Sequence, residues 1–126
     1  MTSPKASPKY SFADLLNIMA RLRAPDGCPW DKEQTHESIL SCLIEEAYEF
    51  VDAVEKRDTL NMREELGDLL LQVVFHSQMA REGGTFNIND VIQELCEKLV
   101  RRHPHVFGES TADTADAVMV QWEAIK

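Results

Sequence analysis

Four carboxylates in two short segments are the residues of this 126-residue chain whose types and spacing could do chemistry. Glu46 and Glu49 are three residues apart in the first segment, and Glu65 and Asp68 are three apart in the second. Residues at this spacing lie on one side of an α-helix. Carboxylate oxygens without histidine or cysteine among them suit hard divalent ions such as Mg²⁺ or Mn²⁺. The pattern therefore predicts a divalent-metal site in which all four acids are ligands.

Two helices are needed to position these acids. Apolar residues recur at three- and four-residue steps around both segments, which predicts an amphipathic helix for each. The first is expected to start at a Thr35 cap and to run to about Arg57. The second is expected to start at Asp58 or Asn61 and to end at Gly83. The short polar stretch around Arg57 suits a tight antiparallel turn, so the two helices should form a hairpin.

A turn centred on Arg57 brings the four acids to one level of the hairpin, with Glu46 opposite Asp68 and Glu49 opposite Glu65. Like charges one helical turn apart repel by roughly 0.2–0.5 kcal/mol per pair, and the repulsion grows across a partly buried hairpin. A bound cation would offset it. The alternative is two solvated acidic faces, which is the usual state of a single acidic pair. The second pair at the mirrored position favours the metal site.

Three further helices complete the predicted architecture. The first helix of the chain begins at a Ser11 cap, and the fourth begins near residue 87 or 89 and stops before Pro104. A short last helix begins near Thr114. The chain is therefore expected to be all-α, with about five helices arranged like a four-helix bundle.

The helix that carries Glu65 and Asp68 has apolar residues on two sides. A helix that is apolar nearly all round must be buried nearly all round, and one chain of this size has few helices to cover it. This predicts self-association through this helix, as an isologous homodimer or a higher homo-oligomer, which would complete the bundle. The alternative is that the first and fourth helices cover both rows within one chain. One row holds Leu66, Leu69, Leu70, Val73 and Val74, and the other holds Leu71, Phe75 and Met79.

Length, charge and cysteine usage bound the class of protein. The length indicates one domain over residues 11–126, preceded by a flexible tail over residues 1–10. The net charge of −9 argues against a nucleic-acid polymer as partner, because such partners need a basic face. Three cysteines far apart and no signal peptide favour the reducing cytoplasm. No apolar stretch is long enough to cross a membrane.

Taken in order, the motifs resemble those of the MazG family, within the all-α nucleoside triphosphate pyrophosphohydrolases. The resemblance runs from about residue 15 to residue 126 and is specific because several stretches match together. These are Glu45-Glu46-x-x-Glu49 with Glu65-x-x-Asp68, Gly27-Cys28-Pro29-Trp30-Asp31, Gln34-Thr35-His36 and the run from Arg101 to Phe107.

The resemblance implies Mg²⁺-dependent hydrolysis of nucleoside triphosphates to monophosphates and pyrophosphate, with Mn²⁺ as a possible substitute and broad base specificity. Glu46, Glu49, Glu65 and Asp68 match the metal ligands. Lys98 and Arg102 match a pair that holds phosphates, and Trp122 and Lys126 match an element that closes over the nucleotide. The candidate catalytic residues are Glu45 and Glu49. Glu49 is also a metal ligand, and Glu45 is the candidate for the carboxylate that accepts the proton of the attacking water. Trp122 could stack on the base.

Other interpretations of the same residues stay open. Lys98 and Arg102 could be solvated charges near the carboxyl end of a helix, where the helix dipole favours them, and Trp122 could be a packing residue. MazG chains often carry two related domains, so this copy could serve assembly or regulation without catalysis. A narrower relative acting on dUTP, dCTP or a phosphoribosyl nucleotide is a further alternative.

Overall fold

The computed structural model describes residues 9–125, and these residues form helices and no strands. The all-α expectation is confirmed. The described part contains seven helices rather than about five, because two short ones were not predicted. Contacts divide the chain into two compact units, Met1–Phe86 and Asn87–Lys126. Most of the predicted tail, residues 1–8, lies outside the described residues. The helices are α1 (Phe12–Leu22), α2 (Pro29–Glu33), α3 (Leu40–Glu55), α4 (Thr59–Glu82), α5 (Ile88–Arg102), α6 (Pro104–Phe107) and α7 (Ala115–Ala124).

The helical hairpin of the first unit consists of α3 and α4. Its turn is closed by two backbone bonds, from the Arg57 N–H to the Val54 carbonyl and from the Asp58 N–H to the Ala53 carbonyl, each 3.0 Å. This pair of bonds ends a helix when the residue after the cap is left-handed, and Arg57 has φ of 54°. Asp58 then caps α4 by accepting from the Asn61 N–H. Of the two starts left open by the sequence, Asp58 is the one used.

The start of α3 differs from the expectation. Thr35 and Ser38 bond each other's backbone, because the Ser38 N–H donates to Thr35 Oγ1 at 3.1 Å and the Thr35 N–H donates to Ser38 Oγ at 2.8 Å. These reciprocal bonds satisfy a turn over residues 36–39, and α3 begins only at Leu40. The prediction of a helix from Thr35 was wrong because the same side-chain chemistry that caps a helix also closes a turn.

The segment between α1 and α3 is anchored by Arg23. Its guanidinium pairs with Glu82 at the end of α4 at 2.9 Å, donates to the carbonyls of Asp31 and Gln34, and lies 5.6 Å from the Phe75 ring centre. This segment contains the unpredicted helix α2. Pro29 favours a helix start at this point, because proline suits the first helical position. The prediction from sequence did not use it, since the stretch was judged by its unusual side chains.

Gly27 allows the chain to turn under the end of α1. A Cβ there would lie 2.2 Å from the Leu22 carbonyl oxygen and 2.5 Å from that of Arg21. We expect Gly27→Ala to lower the free energy of unfolding by at least about 2 kcal/mol, because backbone atoms must move. Gly67→Ala is the control. A Cβ at Gly67 meets nothing within 4 Å, so alanine should stabilise α4 by about 1 kcal/mol. Urea unfolding followed by circular dichroism measures both, and shifts of the same sign would contradict this account.

The core of the first unit lies between α1, the turn before α3 and one side of α4. It consists of Met19, Ile39, Val74, Phe75 and Met79. Neither predicted row is buried or exposed as a whole. Phe75 and Met79 are covered within the chain, but Leu71 of the same row is 39% exposed. In the other row Val74 is in the core, whereas three residues are exposed, at 49% for Leu66, 42% for Leu70 and 44% for Val73.

A histidine pair joins the turn before α3 to α4. His36 Nδ1 and His76 Nδ1 are 2.7 Å apart, and the rings are nearly parallel with centres 5.0 Å apart. The rings therefore meet edge to edge through one hydrogen bond between the two Nδ1 atoms, and are not stacked face to face. Desolvation and the charge of His36 lower the pKa of His76. This contact joins residues 40 positions apart, so local sequence patterns gave no sign of it.

The second unit contains α5, α6 and α7. Asn87 and Asp90 form a capping box at the start of α5, and Thr114 caps α7 by accepting from the Ala117 N–H. Both starts agree with the sequence. Pro104, expected to end the preceding helix, also begins the short helix α6, because proline suits the first helical position. No helix among the described residues has the length and apolar character needed to cross a membrane.

Candidate active site

Carboxylates from α3 and α4 converge at the middle of the hairpin. Oxygens of Glu46, Glu49 and Glu65 all lie within 4.8 Å of one another. Glu65 is buried, with 7% of its surface exposed, Glu46 is half-buried and Glu49 is exposed. Asp68, the fourth expected ligand, is half-buried and outside this group of three, but its charge raises the pKa of both Glu46 and Glu65. The geometry thus brings three of the four acids together with the fourth nearby.

Two of these carboxylates have an oxygen without a partner. Glu46 Oε2 and Glu65 Oε2 are buried and make no hydrogen bond to any described residue. Leaving a buried polar atom unpaired costs about 1–3 kcal/mol, and more for a charged group. Nothing in the described part of the chain supplies a lysine or arginine to this cluster. A cation between the two helices would satisfy both oxygens.

The crowding of negative charge shifts the ionisation of the buried acids. Burial raises the pKa of Glu46 to about 7, and the hydrogen bond to Glu65 and the charges of Asp68, Glu49 and Glu65 add to this. The hydrogen bond with Glu46 lowers the pKa of Glu65, but desolvation and its interactions with Glu49 and Asp68 outweigh it, so the pKa of Glu65 is also raised. Without a bound cation, Glu46 and Glu65 are therefore expected to take up protons at a higher pH than an isolated glutamate does.

This shift predicts how the metal-free protein responds to pH. The pKa of Glu46 rises from 4.5 unfolded to about 7 folded, so its contribution to stability is full below pH 4.5 and is lost as the pH rises through about 7. Solvent screening at this half-buried site limits the effect to about 1 kcal/mol. In EDTA, we expect the unfolding temperature to fall by roughly 3–6 °C between about pH 5 and about pH 8.

Glu46→Gln should flatten this fall, because glutamine does not ionise. Glu45→Gln is the matched control, since Glu45 is exposed and outside the group of three, and its slope should equal that of the unchanged protein. Thermal unfolding followed by circular dichroism measures all three. Equal slopes for Glu46→Gln and the unchanged protein would contradict the assignment of the shift to Glu46.

The donor set suits a hard ion. The three converging ligand atoms are carboxylate oxygens from two helices, and two of these residues, Glu46 and Glu65, each have a buried oxygen without a partner among the described residues. Mg²⁺ and Mn²⁺ prefer such oxygens, whereas zinc and other softer ions favour nitrogen or sulfur ligands. The residues present therefore fit a magnesium-type site.

An open cleft of about 440 Å³ adjoins the acidic group. It is lined by Tyr48, Glu49, Asp52, Asn61 and Glu65. Sequence reasoning missed three of these residues. The signal for Asp52 was its position three residues after Glu49, which continues the acidic row of α3. Asn61 precedes Glu65 by four residues and so lies on the same side of α4.

The second unit holds the residues expected to bind phosphate and base. Lys98 is exposed on α5 and Arg102 is half-buried in its last turn. The guanidinium carbon of Arg102 lies 4.7 Å from the Trp122 ring centre. The structure thus brings Arg102 and Trp122 together, while Lys98 has no ion pair among the described residues. Lys126 lies outside the described residues.

Comparison with known proteins identifies the family of this chain. The family description "MazG nucleotide pyrophosphohydrolase domain" matches residues 34–107. A Thermotoga maritima protein named nucleoside triphosphate pyrophosphohydrolase/pyrophosphatase MazG is 56% identical over 115 residues, which is 91% of this chain and 44% of that protein. The nucleoside triphosphate pyrophosphohydrolase of Escherichia coli (strain K12) is 53% identical over 113 residues, 89% of this chain and 43% of that protein. The chain thus spans less than half the length of these curated relatives.

A solved structure shares the fold. The crystal structure of a mazG-related protein from Thermotoga maritima matches with a TM-score of 0.70 and 29% sequence identity, covering 87% of this chain and 93% of that one. The family match covers more than half of the chain and includes all four acids and Arg102. On these grounds the chain belongs to the MazG family.

Proposed function

We propose that this chain is a Mg²⁺-dependent nucleoside triphosphate pyrophosphohydrolase, which converts NTPs and dNTPs with water to monophosphates and pyrophosphate. The observation that carries the proposal is the group of three carboxylates with two buried, unpartnered oxygens. Relatives at 56% and 53% identity are named for this activity. We further propose that residues 11–126 act together as one catalytic domain.

Glu46, Glu49, Glu65 and Asp68 would hold the metal. A hard divalent ion would supply positive charge that screens the triphosphate and lets a nucleophile approach. The half-buried Glu46 and the buried Glu65 would position it, because their side chains are fixed by the hairpin, while the exposed Glu49 would lie on the substrate side. The cleft lined by Tyr48, Asp52 and Asn61 adjoins that side.

The chain's other charged residues would serve the reaction directly. Hydrolysis forms a bond from a water oxygen to phosphorus and breaks the bridge between the α and β phosphates. Glu45, which is exposed and directly precedes Glu46 in the chain, would accept the proton that the water loses. Lys98 and Arg102 would bind phosphate oxygens and stabilise the negative charge that develops on the leaving pyrophosphate.

A second copy of the chain would complete the helical bundle. The row of Leu66, Leu70 and Val73 on α4 is largely exposed, and so are Ile44 and Val51 on α3. Large exposed apolar patches on soluble proteins mark interaction sites, and these residues are candidates for one. We propose that these faces of the α3–α4 hairpin associate as a homodimer related by a twofold axis.

The test is an assay of the purified protein on a panel of NTPs and dNTPs with Mg²⁺, in which pyrophosphate and orthophosphate are measured separately. We expect one pyrophosphate for each monophosphate formed, with several bases accepted. Orthophosphate as the only phosphate product would contradict cleavage between the α and β phosphates. Turnover of a single pyrimidine nucleotide would favour a narrower enzyme, and no turnover on the whole panel would favour a non-catalytic domain.

A further inference from the structure

Arg102 has no carboxylate partner within residues 9–125, the part of the chain that the structure describes. It lies in the last turn of α5, it is half-buried, and its Nε–H is buried without a hydrogen bond to any described residue. The Trp122 ring lies 4.7 Å from its guanidinium carbon. A cation this close to an indole is attracted by the ring electrons. That attraction uses none of the hydrogen-bonding capacity of the guanidinium, and no N–H group of Arg102 donates to a described residue, so these groups stay available for oxyanions.

The position of Trp122 is itself held by neighbours in the second unit. The His103 ring meets the indole at 5.3 Å in an edge-on arrangement, and His103 Nδ1 donates to the Leu99 carbonyl at 2.6 Å. Gln121 precedes Trp122 in the chain. Its Nε2 donates a hydrogen bond to His105 Nδ1 at 2.9 Å, and its Oε1 accepts one from Ser110 Oγ. The indole is therefore held by its contact with His103, and the backbone beside it by the hydrogen bonds of Gln121.

We propose that Trp122 is a positioning residue, whose indole holds the Arg102 guanidinium ready for the phosphates, and is not a platform for the base. This inference rests on the proposed function and deepens it. The indole contacts both the Arg102 guanidinium and the His103 ring. A base that stacked there would compete with these contacts, whereas a phosphate chain bound at the edge of Arg102 would leave them intact.

A ligand that has no base separates the two roles. Inorganic tripolyphosphate with Mg²⁺ offers the phosphate chain alone, and its affinity can be compared with that of a nucleoside triphosphate by calorimetry. We expect Trp122→Leu, which keeps apolar bulk without the ring electrons, to weaken both ligands by the same factor, about tenfold. Trp122→Phe should restore most of the loss. Val120→Ala, at an exposed position on the same helix, is the control and should leave both affinities unchanged.

A double variant shows whether Trp122 acts through Arg102. In an Arg102→Gln background, Trp122→Leu should have no further effect on tripolyphosphate affinity, whereas a general structural role would still lower it. The inference is overturned if Trp122→Leu weakens the nucleotide and leaves tripolyphosphate unchanged, a result that keeps the proposed function. It is also overturned if the two substitutions are additive. If Arg102→Gln alone does not change tripolyphosphate affinity, the phosphate role in the proposed function fails as well. Circular dichroism confirms that each variant is folded.

Discussion

Glu49→Gln and Asp68→Asn are each expected to lower turnover of nucleoside triphosphates by at least about 100-fold while the helical content stays unchanged. Both substitutions keep the size of the side chain and remove one charge. If the four acids hold the metal, a neutral amide is a weaker ligand, and the ion that screens the substrate is bound less well or in the wrong place. Turnover at saturating Mg²⁺ and far-ultraviolet circular dichroism provide the two measurements.

The stability of these variants, measured with and without Mg²⁺, gives a second test of the same ligand set. Because the carboxylates repel one another in the metal-free protein, removing one should leave stability unchanged or raise it in EDTA, and should reduce the stabilisation that Mg²⁺ provides. Glu55→Gln is a matched control, since Glu55 is exposed on the same helix as Glu49 and outside the acidic group. It should behave like the unchanged protein in both measurements. Near-native turnover by Glu49→Gln or Asp68→Asn would show that the ligand set is wrong.

The second large effect concerns assembly. Leu70→Glu is expected to convert a homodimer into a monomer at micromolar concentration. In a twofold interface one substitution places two new charges in the contact, and desolvating an unpaired carboxylate costs several kcal/mol. Because Leu70 is 42% exposed in the single chain, the monomer itself should lose little stability. Sedimentation velocity measures the mass, and thermal unfolding checks the fold.

Leu60→Glu is the control for this prediction. Leu60 is 74% exposed at the start of the same helix and lies outside the row of Leu66, Leu70 and Val73. It tests whether a charge on any exposed leucine is enough to change the mass. If the unchanged protein sediments only as a monomer at micromolar concentration, the proposal of a dimer is wrong. If Leu70→Glu stays dimeric, the interface lies elsewhere.

Local signals accounted for most helix ends. Ser11, Asp58, Asn87 and Thr114 each cap the helix that follows, because a short polar side chain can bond a free N–H two or three residues ahead whatever the rest of the fold does. The same reasoning failed at Thr35. There Ser38 Oγ also accepts a hydrogen bond from the Thr35 N–H, and the residues that follow form a turn before α3 begins. A cap and a closed turn share the same local chemistry, so only the path of the following residues separates them.

The sequence by itself determined the all-α class, the hairpin turn at Arg57 and the two acidic pairs on adjacent helices, because each depends on residues within one or two helical turns. Only the tertiary structure decided that Phe75 and Met79 face α1 while Leu66 and Leu70 stay exposed, and that Glu65 is the buried acid. It also decided that Arg102 meets Trp122 and that His36 meets His76. These outcomes depend on which face of each helix packs against another helix, and that packing involves residues far apart in the chain.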